Sequence, residues 1–104
     1  MKYKTHNDAP IDINGTHLQG HIQANYADLV HLFGEQSVEF DNYKSDAEWA
    51  IQFDDGSVAT IYNWKNGKNY CGEDGLELEE IQDWNIGGRT PDVVQRIYAI
   101  YEGV

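Results

Sequence analysis

Carboxylates are the commonest chemical group this sequence offers. Glu73, Asp74, Glu77, Glu79, Glu80 and Asp83 fall within eleven residues, and adjacent acids recur at Asp54-Asp55, Glu73-Asp74 and Glu79-Glu80. Paired carboxylates serve acid–base catalysis when their surroundings shift their pKa values. These lie in a turn, a loop and an expected strand edge, which favours a solvated acidic face. Glu77, Glu79 and Asp83 share a strand parity opposite Leu76 and Leu78. A regular strand would project them in a row at about 6.6 Å per step, close to the spacing of phosphates along one nucleic-acid strand.

The cations are few and keep aromatic company. Lys44 follows Tyr43, Lys65 follows Trp64, Lys68 lies near Tyr70, and Arg89 follows Gly87-Gly88. If Tyr43, Lys44, Trp64, Lys65, Lys68 and Arg89 converge on one rim, they make an aromatic and cationic pocket suited to a small phosphorylated ligand. The alternative is that the aromatic residues, Trp64 among them, belong to the core and the lysines snorkel at strand ends.

Other chemistries find less support. His17 and His21, four apart on an expected strand, stand about 13 Å from one another, too far to chelate one ion. His6 lies in the polar start and His31 on the polar side of a short helix, so both read as surface histidines. Cys71 is the single cysteine, which excludes an internal disulfide and a cysteine-built metal site. "DNYKSDAE" lacks the oxygen spacing and central glycine of a calcium loop. "WNIGGR" matches neither a phosphate loop nor a dinucleotide fingerprint, and Ser37, Ser45 and Ser57 lack a nucleophile elbow. No catalytic constellation emerges, so the chain reads as a non-enzyme with no cofactor.

Charge narrows the partners. Eighteen acids against seven lysines and arginines give a net charge of -11, a field that repels nucleic acid and anionic membrane but attracts a basic protein surface. The polar start "MKYKTHNDAPIDING" lacks the apolar run of a secretory signal, and no segment has the length of a membrane span. A soluble, cytoplasmic protein is expected.

Elements must place these groups, and 104 residues suffice for one core. Residues 1–15 read as a loosely ordered segment, followed by a single domain over 16–104. Leu18, Gly20, Ile22 and Ala24 alternate as the buried face of a strand. Tyr26, Leu29, Val30 and Phe33 have helical spacing, with Gly34 as the stop. A two-residue turn at Asp55-Gly56 would pair Phe53 with Val58, Ile51 with Thr60, Trp49 with Tyr62 and Ala47 with Trp64. Residues 64–75 read as an exposed loop. Leu76, Leu78, Trp84 and Ile86 suggest a further strand or a bulged pair, broken by Gly87-Gly88. Pro91 then opens a helix with the stripe Val93, Val94, Ile97, Tyr98 and Tyr101. The expected fold is α+β, an antiparallel sheet of about four strands with two helices on one face, in the order β-α-β-β-β-α.

The stretches "GTHLQGHI", "YADLVHLFG", "WAIQFDDGSVATIYNWK" and "DWNIGG" together resemble a group of small phage-encoded proteins. The likeness runs from Gly15 to Gly88 and specifies a fold more than an activity. It implies an accessory factor of the counter-defence kind, similar in class to anti-CRISPR proteins and working in the host cytoplasm. The leading expectation is a non-enzymatic inhibitor whose acidic, nucleic-acid-mimicking surface, Glu73 to Asp83, engages a basic site on a host defence protein. The alternatives are a sponge for an anionic signalling nucleotide and an enzyme with a dispersed site. A homo-oligomer stays open.

Overall fold

A computed structural model describes residues 2–37 and 44–103. Strands β1 (Tyr3–Thr5), β2 (His17–Gln23), β3 (Glu48–Phe53), β4 (Val58–Tyr62) and β5 (Asp83–Gly88) form one sheet of order β1-β3-β4-β5-β2, antiparallel throughout. Helices α1 (Tyr26–Phe33) and α3 (Asp92–Glu102) follow β2 and β5, and α2 is a single turn, Lys68–Cys71. The α+β class and antiparallel sheet match expectation, with a fifth strand supplied by residues 3–5. Among the described residues no helix is long and apolar enough to cross a membrane.

Both longer helices pack on one face. Trp49, Ile51 and Phe53 of β3, Ala59 and Ile61 of β4, and Trp84 and Ile86 of β5 form a single core with Leu29 and Phe33 of α1 and Val93 and Ile97 of α3. The two tryptophans meet edge to face, ring centroids 5.5 Å apart. Each indole N–H finds a carbonyl, Trp49 donating to Gly34 O and Trp84 to Ala24 O, so neither burial leaves an unpaired donor.

The hairpin is where the expected register fails. Gly56 N donates to Phe53 O, Phe53 N donates to Ser57 O, and Gly56 has φ of +88°. The loop is therefore three residues long, a tight turn closed by a left-handed glycine, and not the two-residue turn. Pairing moves by one, giving Trp49↔Ile61, Ile51↔Ala59, Ala50↔Thr60 and Glu48↔Tyr62. Because side chains alternate, that step carries Thr60 and Tyr62 to the face away from α1 and α3. Arg96 ties the turn to α3, bonding Asp55 at 2.7 Å, Asp92 at 3.2 Å and Ser57 Oγ at 2.7 Å.

Two further expectations are corrected. A bulge between Leu18 and Gly20 reverses parity, leaving Leu18 exposed while Ile22 is buried and putting His17 and His21 on different parities. Gly87 and Gly88 are the last two residues of β5, both paired in the sheet, and the strand ends after them. Leu76 and Leu78 are not in a strand, since residues 72–80 form two 3-10 turns, Gly72–Asp74 and Leu78–Glu80.

The start of the chain caps α1. Asn7 Nδ2 donates to Phe33 O at 3.1 Å and Glu35 O at 2.9 Å, and Tyr3 Oη donates to Leu32 O, satisfying carbonyls that a helix end leaves open. His6 accepts the Ala50 N–H at Nδ1, which assigns its proton to Nε2, 2.8 Å from Glu35 O. His6 is thus half-buried and anchored on both ring nitrogens.

Gly88 tests the seat of α3, because a Cβ there would approach Val93 Cγ2 to 2.5 Å. Gly88→Ala is expected to cost about 1–3 kcal/mol in urea unfolding. Adding Val93→Ala should cost less than the two single changes together. Strict additivity would show that the helix is not pressed against this strand.

Candidate functional site

The one-residue step gives the outer face a polar row across four strands, Glu48, Tyr62, Asn85 and His21, each the lateral partner of the next. The adjoining row is Ala50, Thr60, Gly87 and Leu18. Gly87 keeps this second row low, since any Cβ there would collide with Thr60 Oγ1. The depression is a cavity of about 210 Å³, with Ser45, Glu48, Thr60, Tyr62, Trp64 and Gly87 in its lining. Glu48 also borders a second cavity of about 800 Å³, walled by the chain start from His6 to Ile13.

Glu48 is the unusual group. Among the described residues its carboxylate has no hydrogen bond or ion pair, and burial alone pushes its pKa up to about 7. The Tyr62 hydroxyl is raised as well, by burial first and by the Glu48 charge in lesser part, with Asn85 opposing. A carboxyl poised at neutral pH in a recess can accept two donors when ionised or give one proton when neutral.

A fastened loop closes the far end. Asn63 is fully buried, and its Oδ1 accepts Asp46 N at 2.6 Å and Ala47 N at 3.0 Å. Its Nδ2 donates to Asp46 Oδ1 at 2.9 Å and Asn66 Oδ1 at 3.0 Å. Asp46 Oδ2 then accepts Asn69 N, and Asn69 Nδ2 reaches Ser45 O. Gly67 is required there, since a Cβ would run into the Asp46 carboxylate. This polar knot draws residues 44–46 against 63–69 and is completed by Lys65 N donating to Lys44 O at 2.7 Å.

Trp64 stands at the exit of the knot, 45% exposed. The Lys44 ammonium lies 5.3 Å from its ring centroid, and that of Lys65 lies 6.0 Å from Trp64 and 5.4 Å from Tyr70. Lys65 is the one described non-glycine residue with positive φ, +59°. A side chain in that region costs about 1–2 kcal/mol, a strain found preferentially at functional positions.

Of the expected ligand set, Lys44, Trp64 and Lys65 come together. Lys68 does not, pairing instead with Glu77 at 3.6 Å. Arg89 does not either, bonding Asn14 O and Asp12 O at 2.9 Å each and tethering the chain start to the end of β5. Tyr43 lies outside the described residues. The acids Glu73, Asp74, Glu77, Glu79, Glu80 and Asp83 are all exposed, but the regular row is absent. Glu77 and Glu80 cap one another's backbone across a 3-10 turn, and Asp83 receives the Gln23 amide. Glu48, Thr60, Tyr62 and Gly87 were missed because the expected two-residue turn paired Trp49 with Tyr62 and so put Tyr62 on the core face. The signal available was a lone acid in a strand among apolar neighbours. Among the described residues no group of three acids, histidines or cysteines is placed to hold a metal ion. No protein-family model matches the chain, and no curated protein is significantly similar to it.

Glu48 also sets a pH dependence. Its folded pKa exceeds the ordinary 4.5, so the native state binds the extra proton, and stability falls as pH rises from about 4.5 to about 7. Glu48→Gln removes that loss. The variant's urea midpoint should gain on the parent across this window and hold a constant lead above it; an offset equal at pH 4 and pH 8 would contradict the burial of the carboxyl.

Proposed function

We propose that this protein is a non-enzymatic binder that sequesters a small anionic nucleotide on the sheet face opposite its helices. The observation that carries the reading is Trp64 in the cavity lining, flanked by Lys44 and Lys65, in a molecule of net charge -11 where two neighbouring cations are otherwise out of place. Lysines supply charge to a phosphate and aromatic walls take a base, and the polar knot behind them fixes both before a ligand arrives. The left-handed backbone at Lys65 fits the same account, since a glycine there would relieve strain and forfeit the charge.

A second reading keeps the acidic segment. Six exposed carboxylates within eleven residues, bonded to one lysine among the described residues, offer a surface to a basic host protein. With the regular row replaced by two short turns, the case for phosphate-spaced mimicry is weaker than that for simple charge attraction. Either reading suits a phage counter-defence factor, one removing a signal and the other occupying a defence protein.

The two separate by charge reversal. Trp64 is the exposed emitter, Trp49 and Trp84 being fully buried, so AMP and GMP should quench tryptophan fluorescence where the unphosphorylated nucleosides do so far less. Lys44→Ala with Lys65→Ala should weaken binding at least about tenfold, roughly the loss of one charge-assisted contact. Glu77→Lys with Glu80→Lys should leave it unweakened. The opposite pattern, or no quenching by any nucleotide, rejects the pocket.

Lys65→Gly gives an independent check. It should raise stability by about 1 kcal/mol through relief of the left-handed strain while weakening nucleotide binding. A variant less stable than the parent would show that the backbone there is not strained.

A further inference from the structure

The geometry points to guanine as the base this cavity selects, with the Glu48 carboxylate reading its Watson–Crick edge while the phosphate lies toward Lys44 and Lys65. The inference rests on the nucleotide-binding reading above and adds the identity of the base.

A carboxylate and two lysines at one site conflict if the ligand is a bare anion. They agree if the ligand is donor-rich at one end and anionic at the other. Glu48 and Trp64 both line the recess, and the Lys44 and Lys65 ammonium groups lie against the Trp64 ring. At about 210 Å³ the recess is below the range of whole ligand pockets and takes one ring system, leaving sugar and phosphate outside.

The carboxylate then chooses among rings. It offers two adjacent acceptors and, when ionised, no donor. Guanine presents N1–H and N2–H side by side, and both can be accepted at once. Adenine presents one N–H beside the lone pair of N1, and cytosine one N–H beside the lone pair of N3, so each sets a lone pair against a carboxylate oxygen. Uracil flanks its single N–H with two carbonyls. Guanine alone satisfies both oxygens, and the mismatch rejects the others by leaving a buried acceptor unpaired. Among the described residues, no partner within the protein competes for Glu48.

Protonation follows. The titratable groups lining the two cavities with Glu48 are His17 and Tyr62 on one side and His6 and Asp8 on the other, with Lys44 and Lys65 against the Trp64 ring. Guanine requires the ionised carboxylate, a form about tenfold scarcer at pH 6 than at pH 8 for a group titrating near 7. Comparing GMP with AMP at each pH cancels the phosphate's own titration.

The test is calorimetric titration of the full chain with GMP and AMP at pH 6 and pH 8, repeated for Glu48→Gln and Trp64→Ala. GMP is expected to bind at least tenfold more tightly than AMP at pH 8, with the ratio collapsing toward one at pH 6. Glu48→Gln should reverse the preference, because a side-chain amide both donates to and accepts from adenine. Trp64→Ala should weaken both nucleotides. Equal binding of GMP and AMP, unmoved by Glu48→Gln and lost in Trp64→Ala, overturns guanine selection and leaves the nucleotide reading standing. Binding of neither nucleotide overturns both.

Discussion

Gly56 adopts a φ of +88°, and the position of that residue decides which side chains the central hairpin buries. With three residues in the turn, Trp49, Ile51, Ala59 and Ile61 meet the helices, and Glu48, Thr60 and Tyr62 turn away from them. A two-residue turn would put Tyr62 into the core and take Ile61 out of it. The register is held at both ends, by Arg96 gripping Asp55 and Ser57 at the turn and by Asn63 binding Asp46 and Ala47 at the open end. Asp55 answers that grip, its carboxyl lowered to about 2 mainly by the hydrogen bonds from Ser57 and then by Arg96.

The open face is built from what that register leaves over. Glycine at position 87 lowers the sheet surface beside Thr60, and buried Asn63 fastens a loop that would otherwise be free to move. These features join the recess, the raised pKa of Glu48 and the paired lysines in one hydrogen-bonded arrangement. Such fastening matters because ordering flexible side chains on binding subtracts from affinity. The acidic segment at residues 73–83 differs in kind. It lies on two short turns whose carboxylates partly serve the local backbone, with Ile81 as its fully buried anchor.

Much of the fold was legible because periodicity reports burial. Tyr26 to Phe33 is a helix as its spacing predicts, Gly34 ends it, and the stripe from Val93 to Tyr101 lies on α3. Periodicity does not report register. Asp55-Gly56 fits a two-residue or a three-residue turn with Gly56 left-handed in either, and what separates them is Asp55, which a two-residue type I′ turn would also hold at positive φ and which is not so held here. The bulge at Gln19 and the 3-10 turns at residues 72–80 were hidden for a related reason, since each breaks the alternation from which a strand is read. Lys44, Trp64 and Lys65 were legible as an aromatic and cationic group. Lys68 and Arg89 had equal claim in sequence and were drawn away by Glu77 and by the carbonyls of Asp12 and Asn14. Glu48 was not singled out, because its burial depends on neighbours distant in sequence.

The most direct test of this account is amide chemical-shift mapping of the isotope-labelled protein during titration with a nucleotide. The account predicts that the largest shifts fall on Ser45, Glu48, Thr60, Tyr62, Lys65 and Gly87, residues from three separate stretches that only the observed register and the polar knot bring together. Shifts concentrated between Glu73 and Asp83, or along α3, would contradict it and place the working surface of this protein elsewhere.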